Sequence, residues 1–179
     1  MSESSAPSEP LLATLAITGV GLIGGSIAAA ARQRHVAGRI VGIGRTEKRL
    51  ADAVEAGLID EGSTDVAVAA DADLAVVCTP VDRIAQDVRA LAEVMSETSL
   101  LTDAGSTKRA LCQELADLDG VHGPAFIGSH PLAGSTRQGF EHADPNLFDR
   151  KVCVLTPQSN ANPTEMARLE TFWTALGAV

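Results

Sequence analysis

One histidine and one serine lie at predicted strand ends, where they could take part in proton transfer. His130 lies in the turn sequence GSHPLAG, directly after a β-rich run, and Ser106 lies in DAGST, after another such run. An imidazole exchanges protons near neutral pH and can take one from an alcohol as a hydride leaves. The serine hydroxyl can hydrogen-bond that alcohol or orient the imidazole. These residues therefore predict alcohol oxidation, against the alternatives of a structural histidine and of a serine that only caps a helix.

The other three histidines have no such setting. His35 follows a basic helix end, while His122 and His142 lie in polar loops. We expect all three to be solvated.

A glycine-rich turn could hold the phosphates of a dinucleotide. Gly19, Gly21 and Gly24 follow the order G-x-G-x-x-G, between an apolar run and an alanine-rich tract typical of a helix. The first glycine permits a sharp turn, the second lets a pyrophosphate approach the backbone, and the third lets the helix pack on the strand. The N–H groups at the helix start, around Leu22 and Ile23, then bind phosphate. The alternative is a tight turn without a ligand.

The end of the second predicted strand indicates which dinucleotide fits. The acid that binds the 2′-hydroxyl of an NAD ribose stands about 20 residues past the glycines. Here that place reads GIGRT, with no carboxylate before Glu47. Arg45 can pair bidentately with a 2′-phosphate, and Thr46 adds a hydroxyl at a helix start. The pattern favours NADP over NAD; the alternative is a solvated Arg45 and a site that accepts both cofactors.

Composition excludes several classes of partner. The chain of 179 residues carries a net charge of −9 and is 45% hydrophobic, which allows one core and one domain. Nucleic acid and anionic membranes both require a basic surface, so neither is expected as a partner. No apolar run reaches the roughly 18 residues that span a bilayer.

The start of the chain and the cysteines favour a cytoplasmic protein. Residues 1–10, MSESSAPSEP, are polar and acidic, which predicts a disordered tail rather than a secretory signal. Cys78, Cys112 and Cys153 are odd in number and widely spaced, without a C-x-x-C motif. They indicate small apolar residues in a reducing compartment, with neither a disulfide framework nor a metal site.

The elements that must position these residues alternate between strand and helix. Apolar runs predict a first strand that ends at residue 17 and further strands at residues 39–43, 73–78, 98–102, 126–129 and 151–155. Helical spacing fills the gaps, with Thr46, Ser106 and Asn162 as helix caps. The pattern predicts an α/β fold, a Rossmann-type, doubly wound, mainly parallel sheet over residues 11–179. Its ligands would lie beyond the carboxyl ends of the strands, where the residues discussed above are found.

Three motifs together resemble a known family. GVGLIGGS at residues 19–26, TDAGSTK at residues 102–108 and GSHPLAG at residues 128–134 are similar, in order and spacing, to the prephenate and arogenate dehydrogenases of tyrosine biosynthesis. The resemblance covers residues 15–179. It implies oxidative decarboxylation of a cyclohexadienyl substrate, with hydride transfer to the nicotinamide and loss of CO₂ as the ring becomes aromatic.

The resemblance also implies roles for single residues. His130 would accept the hydrogen bond or the proton of the ring hydroxyl, with Ser106 beside it. Thr79 and Pro80, in the Cys-Thr-Pro turn, would line the cofactor. The GRT sequence at residues 44–46 is similar to the NADP-preferring members, several of which prefer arogenate.

On the substrate side the chain departs from the family. Ser135, a candidate substrate contact, and Thr136 follow the histidine motif where some prephenate-using members have Thr-Glu. Family members continue into an α-helical C-terminal domain that forms the homodimer and supplies an arginine for the substrate carboxylate, whereas this chain stops at Val179. A homodimer is expected only with such a domain. We expect these residues to bind cofactor and to turn over poorly.

Two other functions fit parts of the pattern. A reductase of the β-hydroxyacid dehydrogenase type would share the glycine turn but would need a catalytic lysine on a later helix, which is lacking here. A dinucleotide-binding or sensing module without its own catalysis would need only the turn. Replacing His130 by asparagine separates the module from the enzyme, because only the enzyme would lose its output.

Overall fold

The computed structural model describes residues 9–119 and 123–179. Within them the strands are β1 (Leu12–Thr18), β2 (Ala37–Ile43), β3 (Glu61–Ser63), β4 (Leu74–Val77), β5 (Leu100–Asp103), β6 (Ala125–Phe126), β7 (Gly128–Pro131) and β8 (Cys153–Thr156). The helices are α1 (Leu22–Gln33), α2 (Glu47–Glu55), α3 (Val81–Ala92), α4 (Arg109–Glu114) and α5 (Pro163–Ala175), with 3-10 turns at Val66–Ala69 and Phe140–His142.

A six-stranded parallel sheet forms the centre of the fold. Its strand order is β3-β2-β1-β4-β5-β6, so β1 lies between β2 and β4 and the chain reverses direction across the sheet there. β4 is apolar and buried along its whole length, as parallel strands covered on both faces require. The Rossmann-type fold predicted from the alternation is confirmed, and its switch point places the crevice beside the ends of β1 and β4.

Each face of the sheet is covered by its own apolar layer. Along β1, Leu15 and Ile17 join one layer, which includes Ile27 of α1 and Trp173 of α5. Ala16, between them, joins the second layer on the opposite face, together with residues of α3. Side chains of a strand alternate between faces, so both layers contribute burial to β1. This two-sided packing fixes the strand ends from which the site is built.

Two helix starts behave differently from one another. The Asn162 cap is confirmed, since its side chain accepts a hydrogen bond of 2.9 Å from the backbone N–H of Thr164. Ser106, by contrast, caps no helix, because α4 begins at Arg109 after Lys108. The preceding loop is held instead by Asp103, whose carboxylate accepts the N–H of Gly105 and pairs with Lys108. The helix therefore starts two residues later than a cap at Ser106 predicts.

The strand predicted at residues 126–129 is wrong as a single element. β6 ends at Phe126 in the main sheet, and β7 begins at Gly128 in a separate two-stranded sheet with β8. The backbone N–H of Ser129 donates to the Asp103 carboxylate at the end of β5, so β7 stays beside the main sheet although it pairs with β8. The last predicted strand, residues 151–155, is observed as β8, Cys153–Thr156, which pairs antiparallel with β7 in the separate sheet.

Some predictions concern residues without a described structure. Residues 1–8 of the predicted tail lie outside the described ranges, and so does His122. No helix in the described part of the chain is long and apolar enough to cross a membrane.

Candidate cofactor and active site

The three motif glycines differ in what a side chain would meet. Gly19 has φ of +90°, and a Cβ there would stand 2.9 Å from the carbonyl carbon of Cys78. A Cβ on Gly24 would stand 2.3 Å from the carbonyl oxygen of Gly19, so α1 can approach the turn only without it. A Cβ on Gly21 would meet nothing within 4 Å. Packing requires the outer two glycines, and the space beside Gly21 is open to a ligand.

The start of α1 points free donors at this space. α1 begins at Leu22, and Gly21, at its N-cap position, offers no side chain to accept their hydrogen bonds. The first N–H groups of a helix have no partner within the helix and carry its positive dipole end. Open space and uncapped donors together fit the pyrophosphate of a dinucleotide.

A cavity of about 900 Å³ opens beside this turn, at the end of the main sheet. Its walls include six of the residues predicted for the cofactor, namely Gly19, Gly21, Arg45, Thr46, Thr79 and Pro80. Leu22, Ile23 and Gly24 are not part of its lining, so their contribution is limited to backbone donors and packing. The volume lies in the range of known ligand sites.

One end of the cavity is cationic. Arg45 follows β2, is exposed, and forms no ion pair with any described residue. Arg49 lies one helical turn further and pairs with Glu141 at 3.5 Å, while its guanidinium lies 5.7 Å from the ring centre of Phe140. Arg45 therefore leaves an unpaired guanidinium at this end of the cavity.

The segment at residues 138–142 is a part of the site that sequence reasoning missed. It returns from the end of β7 to the glycine turn, where Phe140 and Ala143 pack on Gly25. Glu141 and His142 thereby join the cavity wall; His142 is exposed, as expected, but faces the site. Arg49 could have been predicted from the sequence, because it follows Arg45 at the spacing of one helical turn and both line the cavity. No local signal exists for Glu141 and His142, because their position depends on tertiary packing.

A buried ion pair lies under the predicted catalytic residues. Asp103 is fully buried and pairs with Lys108, and the N–H groups of Gly105 and Ser129 donate to its carboxylate. Burial raises the pKa of Asp103, and the Lys108 ammonium and the hydrogen bonds oppose that rise. The Ser129 hydroxyl donates to the backbone carbonyl of Asp103. This network ties the end of β5 to β7, so the loop of Ser106 and the strand of His130 are neighbours.

The predicted catalytic and substrate residues lie on an open edge. His130 is half-buried on β7, and its imidazole makes no hydrogen bond to a described residue. Ser106 is exposed. Ser135 is also exposed, and its hydroxyl accepts a hydrogen bond of 3.0 Å from the N–H of Arg137. None of the three lines the cavity, so the predicted catalytic and substrate residues lie apart from the predicted cofactor residues that do.

Two of the three cysteines lie in surroundings that disfavour the thiolate. Burial raises the pKa of Cys78, and it raises that of Cys153 to about 12, so both stay thiols at neutral pH. In the described part of the chain, no three histidine, cysteine or acidic residues come together in a way that could hold a metal ion.

Comparisons with known proteins agree with this geometry. The family model of the prephenate dehydrogenase nucleotide-binding domain matches residues 27–179. The prephenate dehydrogenase of Bacillus subtilis is 33% identical over 159 residues, which are 88% of this chain and 43% of that protein. The solved prephenate dehydrogenase of Aquifex aeolicus, in complex with hydroxyphenyl propionate and NAD+, superposes with a TM-score of 0.85 and 32% identity, covering 93% of this chain and 58% of that one.

The arogenate dehydrogenase of Synechocystis has a TM-score of 0.82 and 32% identity over 93% of this chain and 58% of its own. The chain thus spans about half the length of the relatives that it matches. The family expected from the three motifs is confirmed: the chain belongs to the prephenate dehydrogenase family and carries its nucleotide-binding domain.

Proposed function

We propose that this domain binds a pyridine dinucleotide and prefers NADP to NAD. The pyrophosphate would lie beside Gly21, where an added Cβ would meet no protein atom within 4 Å and the start of α1 offers uncapped N–H groups. Arg45 would bind the 2′-phosphate, since it has no ion-pair partner among the described residues and β2 ends without a carboxylate. Thr46, Thr79 and Pro80 would complete the cofactor wall.

The reaction that we propose is oxidative decarboxylation of prephenate or arogenate. When bound, the nicotinamide accepts the hydride that leaves the carbinol carbon of the substrate ring. The imidazole of His130 would take the hydroxyl proton, and Ser106 would hydrogen-bond the same hydroxyl. The bond to the ring carboxylate breaks, CO₂ leaves, and its electron pair makes the ring aromatic. Ser135, which follows the His130 turn, is the proposed substrate contact.

The cofactor proposal depends mainly on one observation. This chain belongs to a dehydrogenase family, and a Cβ on Gly21, the second glycine of its turn, would meet no protein atom within 4 Å. An open position at the positive end of a helix gives a phosphate room to approach the backbone N–H groups. The substrates come from the relatives, which are named prephenate, cyclohexadienyl and arogenate dehydrogenases.

A binding or sensing module is the second candidate. It is favoured by one specific observation, that His130, Ser106 and Ser135 lie outside the cavity. Such a module would bind the dinucleotide and would carry out no turnover, even with substrate present.

An absorbance assay at the reduced-nicotinamide band separates the two candidates. Prephenate and arogenate are each offered with NAD+ and NADP+ to the chain alone and to an extended polypeptide, in which the remaining part of the Bacillus subtilis relative follows Val179. We expect reduction of NADP+ by the extended polypeptide and little by the chain alone. A folded extended polypeptide that is silent in all four combinations, yet binds cofactor, would reject the enzyme and favour the module.

A further inference from the structure

A carboxylate on α3 holds the hydroxyl proton of Thr79. The Oγ1 atom of Thr79 donates a hydrogen bond of 2.6 Å to an Oδ atom of Asp87, two turns along the helix. The Asp87 side chain is only 15% exposed, and its other oxygen lies 3.5 Å from the guanidinium of Arg83. All three residues line the cavity. A short bond to a shielded carboxylate is stronger than one between neutral groups, so the hydroxyl is fixed in one orientation.

This hydroxyl can only accept a hydrogen bond from a ligand. A threonine hydroxyl has one proton and two lone pairs, and here the proton is committed to Asp87. Toward the cavity Thr79 therefore presents oxygen lone pairs. A phosphate oxygen cannot be its partner, because phosphate is also an acceptor, whereas a sugar hydroxyl can.

The order of the strands indicates which ribose of the dinucleotide would lie beside Thr79. β2 and β4 flank β1 on opposite sides, and the pyrophosphate site follows β1. Arg45, after β2, is on the adenosine side, so Thr79, after β4, is on the nicotinamide side. The backbone N of Thr79 would be only 3.1 Å from a Cβ built on Gly19, which places the residue next to the phosphate turn. The group attached there to the pyrophosphate is the nicotinamide ribose.

We propose that Asp87 is a positioning residue that orients Thr79 to accept a hydrogen bond from a hydroxyl of the nicotinamide ribose. This inference rests on the proposed cofactor function. It adds two points to that function: Thr79 acts as the hydrogen-bond acceptor toward the ribose, and Asp87 acts on the ligand through Thr79. If Asp87 acted only through its charge, its removal would strengthen cofactor binding, because a carboxylate repels an anionic dinucleotide. The positioning role predicts that its removal weakens binding.

Two ligands distinguish the two halves of the cofactor. NADP+ and adenosine 2′,5′-bisphosphate, which lacks the nicotinamide ribose, are titrated calorimetrically into wild type, Asp87→Ala and Asp87→Asn. Asp87→Ala should weaken NADP+ binding roughly three- to ten-fold, the loss of one net hydrogen bond, and leave the bisphosphate unchanged. Asp87→Asn keeps an oxygen that can accept the Thr79 proton and should retain most of the affinity.

Matched variants show whether Asp87 acts through Thr79. Thr79→Val should reproduce the loss, Thr79→Ser should not, and Asp87→Ala should add nothing in the Thr79→Val background. Asp82→Ala removes an exposed acid from the same helix, outside the cavity lining, and is the charge control. Where Asp87→Ala is too unstable to titrate, Asp87→Leu replaces it, since leucine fills the volume without an acceptor.

The outcomes separate this inference from the proposed function. A wild-type chain that binds neither NADP+ nor NAD+ overturns both. A wild-type chain that binds, with Asp87→Ala binding NADP+ equally well or more tightly, overturns the positioning role alone. An equal loss of affinity for NADP+ and for the bisphosphate in Asp87→Ala also overturns it, because the effect would then not be confined to the nicotinamide half of the cofactor.

Discussion

The candidate cofactor cavity and the predicted catalytic edge of this domain, which carries His130 and Ser106, are built in different ways. The cavity depends on backbone features: a glycine turn, a helix start and the point where the sheet changes direction. The edge depends on single side chains, His130 and Ser106, which are carried by two different elements and enclosed by neither. Backbone features thus frame a cavity within this domain, whereas His130 and Ser106 do not line it.

The strand that carries His130 is nevertheless held by buried hydrogen bonds and an ion pair. Asp103, Lys108 and Ser129 form a buried network directly beneath β7, so the strand of His130 is fixed even though its imidazole is half-exposed. The two regions can therefore be separated experimentally: changes on the edge should alter turnover or stability, and changes in the cavity should alter cofactor affinity.

His130→Asn gives the largest expected effect. In the extended polypeptide the rate should fall by roughly two to four orders of magnitude, because the proton acceptor is lost. The dissociation constant of NADP+ should not change, since His130 does not line the cavity. His35→Asn is the control, an exposed position with φ of 53° that asparagine tolerates. A large loss of cofactor affinity in His130→Asn would show that the two regions are not separate.

Lys108→Met tests the base of the edge. Loss of the ammonium leaves the buried Asp103 carboxylate without its counter-charge, with only the N–H groups of Gly105 and Ser129 as partners. This should lower the free energy of unfolding by about 3–5 kcal/mol near neutral pH. The pKa of Asp103, already raised by burial, should rise further. A carboxyl with a higher pKa in the folded than in the unfolded state loses stability as pH rises above about 4, so the defect should shrink toward that pH.

Urea unfolding near pH 4 and near pH 7 measures this difference, with the exposed Lys151→Met as the control. A defect that is as large in acid as at neutral pH would contradict the role given to Asp103.

Gly24→Ala should damage the turn itself. Its Cβ would stand 2.3 Å from the carbonyl oxygen of Gly19, and a backbone atom cannot move aside as a flexible side chain can. We expect a loss of about 3 kcal/mol in the free energy of unfolding, the upper part of the range for overpacked positions. Gly21→Ala, measured in parallel, should lose less than about 1 kcal/mol. Equal losses in the two variants would remove the distinction between a packing glycine and a ligand glycine.

Arg45→Ala sharpens the cofactor preference. Removal of a charge-assisted contact worth about 1.5–3 kcal/mol should weaken NADP+ binding by one to two orders of magnitude and leave NAD+ nearly unchanged. Arg109→Ala, an exposed arginine outside the cavity, is the matched control. Isothermal titration with both cofactors measures the difference. An unchanged affinity for NADP+ would rule out Arg45 as the residue that binds the 2′-phosphate.

Local signals were sufficient for the backbone features. The apolar runs of β1 and β4, the glycine turn and the Asn162 cap are each set by neighbours in sequence, and the structure contains all of them. β3, at Glu61–Ser63, was not predicted because its three residues include no apolar side chain and therefore show no strand pattern. It is defined by its pairing with β2. The same limit applies at the edge, where the turn of the chain before β7 is imposed by Asp103 from another strand.

The contribution of the segment at residues 138–142 was unpredictable for the same reason. Its place in the cavity depends on Phe140 packing against Gly25 and on the pair between Arg49 and Glu141, contacts between distant parts of the chain. Predicted residues fixed by the local backbone, such as Gly19 and Gly21, line the cavity. Ser106, by contrast, was assigned a helix cap that the fold does not use, because Asp103 holds the loop through Gly105 and Lys108 and α4 begins only at Arg109.

The most direct measurement is a calorimetric titration of NADP+ into wild type and Gly21→Ala, each with its unfolding curve. Saturable one-to-one binding by wild type, strongly weakened in Gly21→Ala at nearly unchanged stability, is the expected result, because the added methyl would occupy space that only the ligand fills. Absent binding by the folded wild type, or equal affinity in both proteins, would contradict the assignment of this turn as the dinucleotide site.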